Sequence, residues 1–393
     1  MSPVFDRIGI NGYRVLGYDK EEKITIHAET WQGPQSCPYC GAGRLHSKGR
    51  YRRRARHLDC FGTSSQLLIH TRRYCCVECG RSFVPSLPGL LPWRQSTEPW
   101  REKVYQHHHH GICASALARL MELGQASVER IYEQFTRRKA NERLSLQCPR
   151  VLGIDEHSLH KGQRFATTLC DLKNHRVFDI VAGRSEADLR DFIFRLEGRH
   201  QVRVVCIDLS SPYRHLIRSA FPNAKIVADR FHVVRLIIHH FMELARQIAP
   251  SIKNQRSYLG ALRKRTEHLS AIDSQRLGAL FNAYPALEPL YEMMHRLRRI
   301  MNVKHQTKRA CRPLARQLLG LIEQLNHSAF SPLVTLAQTL KTWIEPIAAM
   351  WRFTKNNGIT EGFHRKMKLI QRRAYGFRNF NNYRLRVIAQ CGG

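Results

Sequence analysis

The sequence predicts an α/β core on a mixed sheet, interrupted by an all-helical insertion and preceded by a small cysteine-bearing module. Three observations predict this. Two apolar runs, Val151-Leu152-Gly153-Ile154 and Val204-Val205-Cys206-Ile207, each lead into an aspartate, Asp155 and Asp208. Strand and helix patterns alternate around them from residue 146 to Asp229. From there to about residue 350 nothing alternates as a strand, and the apolar residues recur at helical spacing.

Composition bounds the partners. The chain has 393 residues, with 64 Lys and Arg against 31 Asp and Glu, a formal charge of +33. Its calculated pI is 10.3. Such charge calls for a polyanion, nucleic acid first. A membrane-surface protein would concentrate it on an amphipathic segment beside an apolar anchor, whereas here it runs through the whole chain. No uncharged apolar stretch reaches the roughly 18 residues of a membrane span. Met-Ser-Pro-Val-Phe-Asp-Arg lacks a basic then apolar leader and does not read as a signal peptide, so a cytoplasmic, nucleoid-associated protein of two to four domains is expected.

In that compartment the twelve cysteines are thiols or metal ligands rather than disulfides. Cys37-Pro-Tyr-Cys40-Gly and Cys76-Val-Glu-Cys79-Gly are two Cys-x-x-Cys knuckles, each followed by a glycine that permits a sharp turn. Four thiolates make a closed structural Zn²⁺ site. The gap between the knuckles is long for a zinc ribbon, but strands at Arg50-Tyr51-Arg52 and Leu67-Leu68-Ile69-His70-Thr71 can fill it. Cys60 and Cys75 are spare candidates, and Cys75 leaves a register ambiguity. Cys113, Cys148, Cys170, Cys206, Cys311 and Cys391 read as small core residues.

After the Pro-rich connector of residues 85–92, Leu117, Leu120 and Met121 mark a helix over Ala114 to Glu122. Val128, Ile131, Tyr132 and Phe135 mark another from an N-cap at Ser127, with a glycine turn at Leu123-Gly124-Gln125 between them. The pattern is a helix-turn-helix, with Ser127, Arg130, Arg137 and Arg138 as candidate DNA contacts. A purely structural helical hairpin has the same signature. The His107–His110 run reads as a solvated loop.

In the core, Phe165–Leu172 and Arg176–Val181 form two strands about the turn Lys173-Asn174-His175. A helix over Ala187–Glu197 follows, then the strand ending at Asp208, a helix carrying Tyr213, Leu216, Ile217 and Phe221, and a short strand from Ala224 to Ala228 before Asp229. Hairpin strands followed by alternating helices and strands describe an RNase H-like mixed sheet. Periodicity alone admits other α/β folds; carboxylates at strand ends narrow the choice. Beyond Asp229, Pro285, Pro289, Pro313 and Pro332 divide the helical insertion. Contact with DNA backbone, support of a dimer, or packing alone would each explain it.

A third carboxylate, Glu361, begins a basic helix. Ile359, Phe363, Met367 and Ile370 form its apolar stripe, and Glu361 lies opposite with Arg365, Lys368 and Arg372. One helix can thus offer a metal-binding carboxylate and a row of phosphate-binding cations. The alternative is an exposed Glu361–Arg365 ion pair. Clustered carboxylates raise one another's pKa unless a cation lies between them, which points to Mg²⁺ or Mn²⁺ and phosphate chemistry.

Several strings together resemble the ISL3 family of bacterial insertion-sequence transposases: Gly153-Ile154-Asp155-Glu156-His157-Ser158-Leu159-His160-Lys161-Gly162, Ile207-Asp208-Leu209-Ser210-Ser211-Pro212-Tyr213, Ala228-Asp229-Arg230-Phe231-His232-Val233 and Asn357-Gly358-Ile359-Thr360-Glu361-Gly362, with the late run Arg372 to Phe380. The resemblance extends over nearly the whole chain. It implies that Asp155, Asp208 and Glu361 are the catalytic DDE residues and bind two Mg²⁺ or Mn²⁺ ions, and that Asp229 and His232 form a secondary Asp-x-x-His motif. The division implied is a zinc-ribbon segment over 1–85, a helix-turn-helix domain over 86–145, core over 146–240, helical insertion over 241–350 and a final core helix over 351–393. The implied activity is metal-dependent cleavage and transfer of DNA strands at terminal inverted repeats by a homodimer, through two ions about 3.5 to 4 Å apart. A non-catalytic zinc and helix-turn-helix regulator derived from a transposase is the alternative, though it has no use for three carboxylates at these positions.

Overall fold

Alternation of buried and exposed positions along long, arginine-rich strands builds the first sheet of this computed structural model, which describes residues 8–144, 147–160, 162–353 and 358–392. Residues 1–7, Lys161 and Asn357, named above, lie outside the described residues. The chain divides into two compact units, Met1–Arg138 and Lys139–Gly393.

In the first unit, β1 (Tyr13–Lys20), β2 (Ile24–Thr30), β3 (Leu45–Cys60), β4 (Thr63–Cys76) and β5 (Ser82–Phe83) form a sheet ordered β1-β2-β4-β3, with β5 also on β4. Ala28, Ala55, Leu67 and Ile69 are buried while arginines of β3 alternate outward, so one face is core and the other cationic. The strands predicted at Arg50–Arg52 and Leu67–Thr71 are paired parts of β3 and β4, which span the long gap between the knuckles.

Helices α1 (Glu98–His109) and α2 (Ala114–Leu120) and the greater part of α3 (Gln125–Leu144), which runs on past Arg138, complete this unit. Trp100, Val104 and Tyr105 of α1 pack with Leu117 of α2 and with Val128, Ile131, Tyr132 and Phe135 of α3. Four expectations are corrected here. The histidine run is the last turn of α1, where Tyr105 meets His109 at 3.1 Å and His108 meets the Ile112 carbonyl at 2.8 Å. Leu120 is 65% exposed at the end of its helix rather than core. Cys113 is exposed just ahead of α2. Ser127 is no N-cap, because α3 already begins at Gln125; its hydroxyl accepts from Arg130 instead. The left-handed residue of the turn is Glu122 at φ 48°.

The second unit carries the sheet β10-β9-β6-β7-β8. Its strands are β6 (Val151–His160), β7 (Arg164–Asp171), β8 (Arg176–Ala182), β9 (Val204–Ile207) and β10 (Lys225–Ala228). β6, β7 and β8 are antiparallel; β9 and β10 run parallel to β6. The Asp171 carboxylate accepts from the Lys173 and Asn174 amides and fixes the predicted turn before β8. Helices α4 (Glu186–Phe194) and α5 (Ser211–Ala220) connect the strands. The following helices are α6 (Arg230–Ile248), α7 (Arg256–Arg263), α8 (Ala271–Ala283), α9 (Leu287–Asn302), α10 (Cys311–Asn326), α11 (Ser331–Thr342), α12 (Ile344–Arg352), α13 (Gly358–Arg373) and α14 (Phe380–Cys391).

Pro285 lies between α8 and α9, whereas Pro289, Pro313 and Pro332 sit in first turns, where a missing N–H costs nothing. Leu152, Ile154, Val205 and Ile207 face one core shared with α5, α6 and α9 to α12. The helical stretch therefore packs onto the sheet, and α6 runs unbroken through residue 240. Cys170, Val177 and Cys206 face the opposite core, covered by Met367 and Ile370 of α13 and Tyr383 and Val387 of α14. Arg384 clamps α14 to β8 by two 2.6 Å bonds to Asp179.

Candidate active site and zinc cluster

Register brings the carboxylates together. β6 and β9 pair through Gly153 opposite Cys206, so Asp155 and Asp208 stand two residues beyond that pair on each strand. β10 pairs with β9 through Ala228 opposite Ile207, and Asp229 follows. Neighbouring strands lie about 4.8 Å apart, so three aspartates form a row across the sheet. Asp155 and Asp208 continue the face of Cys206, toward α13. The expectation that Asp155 ends its strand is corrected: β6 continues to His160, because Glu156, His157, Ser158 and His160 pair with residues of β7.

Asp229 N-caps α6 by accepting from the Phe231 amide, and its own amide donates to the Ile207 carbonyl at 2.8 Å. One turn on, His232 Nε2 lies 3.2 Å from Asp208 Oδ1 and 3.7 Å from Asp229 Oδ2. Burial, with Asp229 beside it, pushes the Asp155 carboxyl up to about 7. Burial, then Asp155 and Asp229, pushes Asp208 up to about 8. Burial lowers the His232 imidazole.

The donor set fits a divalent cation. Ligand atoms of Asp155, Asp208 and His232 all lie within 4.8 Å of one another. Asp208 Oδ1 is buried, and among the described residues it has no partner in hydrogen-bond geometry, with His232 Nε2 beside it at 3.2 Å. Carboxylate oxygens suit Mg²⁺ and Mn²⁺, and the imidazole nitrogen favours Mn²⁺ of the two.

Glu361 is not brought into this set. It is exposed, and its Oε1 accepts from Arg365 at 2.9 Å. His364, one turn further along α13, comes instead to 3.8 Å from Asp155 Oδ2. A polar chain anchors it: His364 Nε2 meets Thr168 Oγ1 at 3.1 Å, Thr168 meets His157 at 3.0 Å, and His157 meets the Tyr383 hydroxyl at 3.1 Å. His364 was missed in the sequence, although its i+3 spacing from Glu361 was a signal. Lys368 and Arg372 are exposed on the same helix.

In the first unit the four knuckle cysteines converge. Cys37 Sγ lies 3.7 Å from Cys79 Sγ, and Cys40 Sγ 3.5 Å from Cys76 Sγ. Four sulfurs around a tetrahedral Zn²⁺ at about 2.3 Å stand roughly 3.8 Å apart, so the cluster has structural-zinc dimensions. Gly41 at φ 75° and Gly80 at φ 68° close the knuckle turns by donating to Cys37 O and Cys76 O. Cys75 is excluded from the cluster, its thiol donating to the Gly80 carbonyl, which settles the register. Cys60 is spent on the Leu58 carbonyl. Of the candidate DNA contacts here, Arg137 pairs with Glu133 and Arg138 with Glu98, while Arg130 donates within its own helix to the Ala126 carbonyl and the Ser127 hydroxyl.

A family model described as a transposase, of the ISL3 group of DDE transposases, matches residues 152–387. The chain belongs to the ISL3 transposase family. A second model, the zinc finger of the transposases of IS204, IS1001, IS1096 and IS1165, matches residues 33–79 of this transposase and so takes in all four knuckle cysteines. This ISL3 member is also 29% identical over 393 residues to the transposase for insertion sequence element IS1001 of Bordetella parapertussis, covering 95% of this chain and 93% of that one. No helix among its described residues is long and apolar enough to cross a membrane.

Proposed function

We propose that the chain is a DDE transposase that binds the terminal inverted repeats of its insertion sequence and cuts and joins DNA strands there. The observation that carries this is the convergence of Asp155, Asp208 and His232 donor atoms within 4.8 Å of one another. The strand order β10-β9-β6-β7-β8 supports reading the core as RNase H-like.

Asp155 and Asp208, with His232, would hold the divalent ions, and Glu361 would join them by leaving Arg365. Bound there, Mg²⁺ or Mn²⁺ supplies Lewis-acid stabilisation of phosphate charge and a more acidic water. Asp229 positions His232 from the cap of α6. The chain from Tyr383 through His157 and Thr168 holds His364 against Asp155. Arg365, Lys368 and Arg372 would take the phosphates flanking the cut. The zinc ribbon, α2 and α3 as a helix-turn-helix, and Ser127, Arg130, Arg137 and Arg138 would bind the repeat, the last two by exchanging carboxylates for phosphates. Two copies of the chain would pair the two ends, working on the nucleoid.

Asp208→Asn tests this on a duplex carrying the element's end. Binding should persist while Mg²⁺- or Mn²⁺-dependent cleavage disappears; cleavage by a clean preparation of the variant would refute the assignment.

A further inference from the structure

The tip of the β6–β7 hairpin and the C-terminal end of α13 enclose a cavity that the proposed chemistry leaves without a role. Its volume is about 770 Å³, inside the range of roughly 300–1,000 Å³ that encloses a small organic group. Its walls are aromatic, with Phe165, Phe377 and Phe380 among them, and Tyr375 stands 96% exposed beside them on left-handed backbone at φ 51°. Among the described residues, four arginines also line it, Arg164, Arg184, Arg372 and Arg378, against a single acid, Asp188. That acid is already engaged, accepting from the Ser185 hydroxyl and from the Arg184 and Ser185 amides. The Arg184 guanidinium lies 3.9 Å over the Phe165 ring.

Aromatic walls with a surplus of guanidinium suit one chemistry: a flat π-face tethered to phosphate. An aliphatic occupant would not use four arginines, and a free anion would not use the rings. The position relative to the carboxylates agrees. Leu159 and His160 are four and five residues beyond Asp155 on β6, about 13 to 17 Å. Arg372 is eight residues beyond His364 on α13, about 12 Å. Two elements thus run from the carboxylates to the cavity. Along B-form DNA that span is about four to five nucleotides.

We infer that this cavity receives one unstacked base of the DNA strand, within about five nucleotides of the bond cut at Asp155 and Asp208, with Tyr375 stacking on the base and Arg378 holding a flanking phosphate. The inference rests on the transposase reading. Extrusion costs unpairing and unstacking, which stacking inside the cavity offsets.

The test uses the full-length protein and a duplex of the insertion-sequence end with its flanking DNA, located from the sequence around the gene. In successive duplexes the base opposite each position within five nucleotides of the cut is replaced by an abasic residue. This removes the cost of unpairing and keeps the candidate base. At one position the wild-type protein should bind the altered duplex more tightly than the intact one, and Tyr375→Ala should lose that gain. Tyr375→Ala should bind that altered duplex roughly 5- to 150-fold more weakly than wild type, the scale of one base–aromatic stack. Tyr375→Trp should restore the gain. Arg378→Ala, with a second exposed side chain, should weaken binding at that position independently of Tyr375 folding effects. Intact cleavage with no position showing a Tyr375-dependent gain overturns the base pocket and leaves the transposase reading standing. Failure of the wild type to cleave the intact duplex overturns both.

Discussion

Glu361 Oε1 lies 2.9 Å from Arg365 Nη2, one turn along the same helix, while His364, the residue before Arg365, lies 3.8 Å from Asp155 Oδ2. Both members of the pair are more than half exposed, at 55% for Glu361 and 80% for Arg365. Such an i to i+4 pair contributes only about 0.3–0.5 kcal/mol. Leaving it costs little, and one turn of helix separates Glu361 from a residue already at the carboxylates.

We therefore expect Glu361→Gln to separate stability from chemistry. Chemical denaturation should register a loss of about 0.5 kcal/mol or less. Cleavage of an end duplex should fall by about 100-fold or more, the scale of losing one group that stabilises charge in the transition state. Cleavage within a few-fold of wild type would remove Glu361 from the site and leave Asp155, Asp208 and His232.

The raised carboxyls set a pH dependence. Asp155 and Asp208 reach about 7 and about 8 in the fold, against about 3.9 in an unfolded chain. Between those values these two acids hold more protons in the folded state than in the unfolded one, so their contribution to stability falls as pH rises. Below about pH 6.5 the buried His157, His232, His295 and His364, whose imidazoles burial lowers, act in the opposite sense. Metal-free protein should therefore lose melting temperature from about pH 6.5 to about pH 8, where the acids act alone. Added Mn²⁺ should raise the melting temperature more at pH 8 than at pH 6, since at pH 6 it must displace protons. A Mn²⁺ shift independent of pH, or larger at pH 6, would count against these two acids as its ligands.

Zinc should be separable from catalysis. One Zn²⁺ per chain is expected, held by Cys37, Cys40, Cys76 and Cys79. Cys40→Ser should lose it, because three remaining thiolates leave the site open. Binding of the terminal repeat should fall with the metal, and the Mn²⁺-dependent melting shift of the second unit should remain. Metal analysis of purified protein together with a binding titration decides this.

The Asp179–Arg384 pair anchors α14, whose Tyr383 begins the polar chain to His364. Arg384→Ala should destabilise by about 3 kcal/mol, at the low end for breaking a buried pair because Arg384 keeps 25% exposure. Replacing both partners, Asp179→Leu with Arg384→Met, should recover most of that. Denaturation of the single and double variants measures it.

Much of this was legible residue by residue. The four-residue run Val204–Ile207 is buried throughout, so its apolarity marked β9 and placed Asp208. The knuckle glycines marked the zinc cluster. Apolar stripes marked α5 and the buried face of α13. Other features depended on pairing that no single segment reveals. β6 runs on through Glu156, His157 and Ser158 because they pair with Thr167, Ala166 and Phe165 of β7, not because those residues are apolar. His107 to His109 are helical because Trp100, Val104 and Tyr105 anchor α1 against α3. The placing of Asp229 and His232 beside Asp208 follows from the order β10-β9-β6, which is a property of the sheet.

The metal cleft can be mapped in place by substituting Fe²⁺ and generating hydroxyl radicals with ascorbate and peroxide, then locating backbone breaks. We expect breaks beside residues 155, 208 and 232, competed by Mn²⁺ and absent in Asp208→Asn. Breaks elsewhere in the chain, or the same pattern in Asp208→Asn, would contradict a divalent cation held between Asp155 and Asp208.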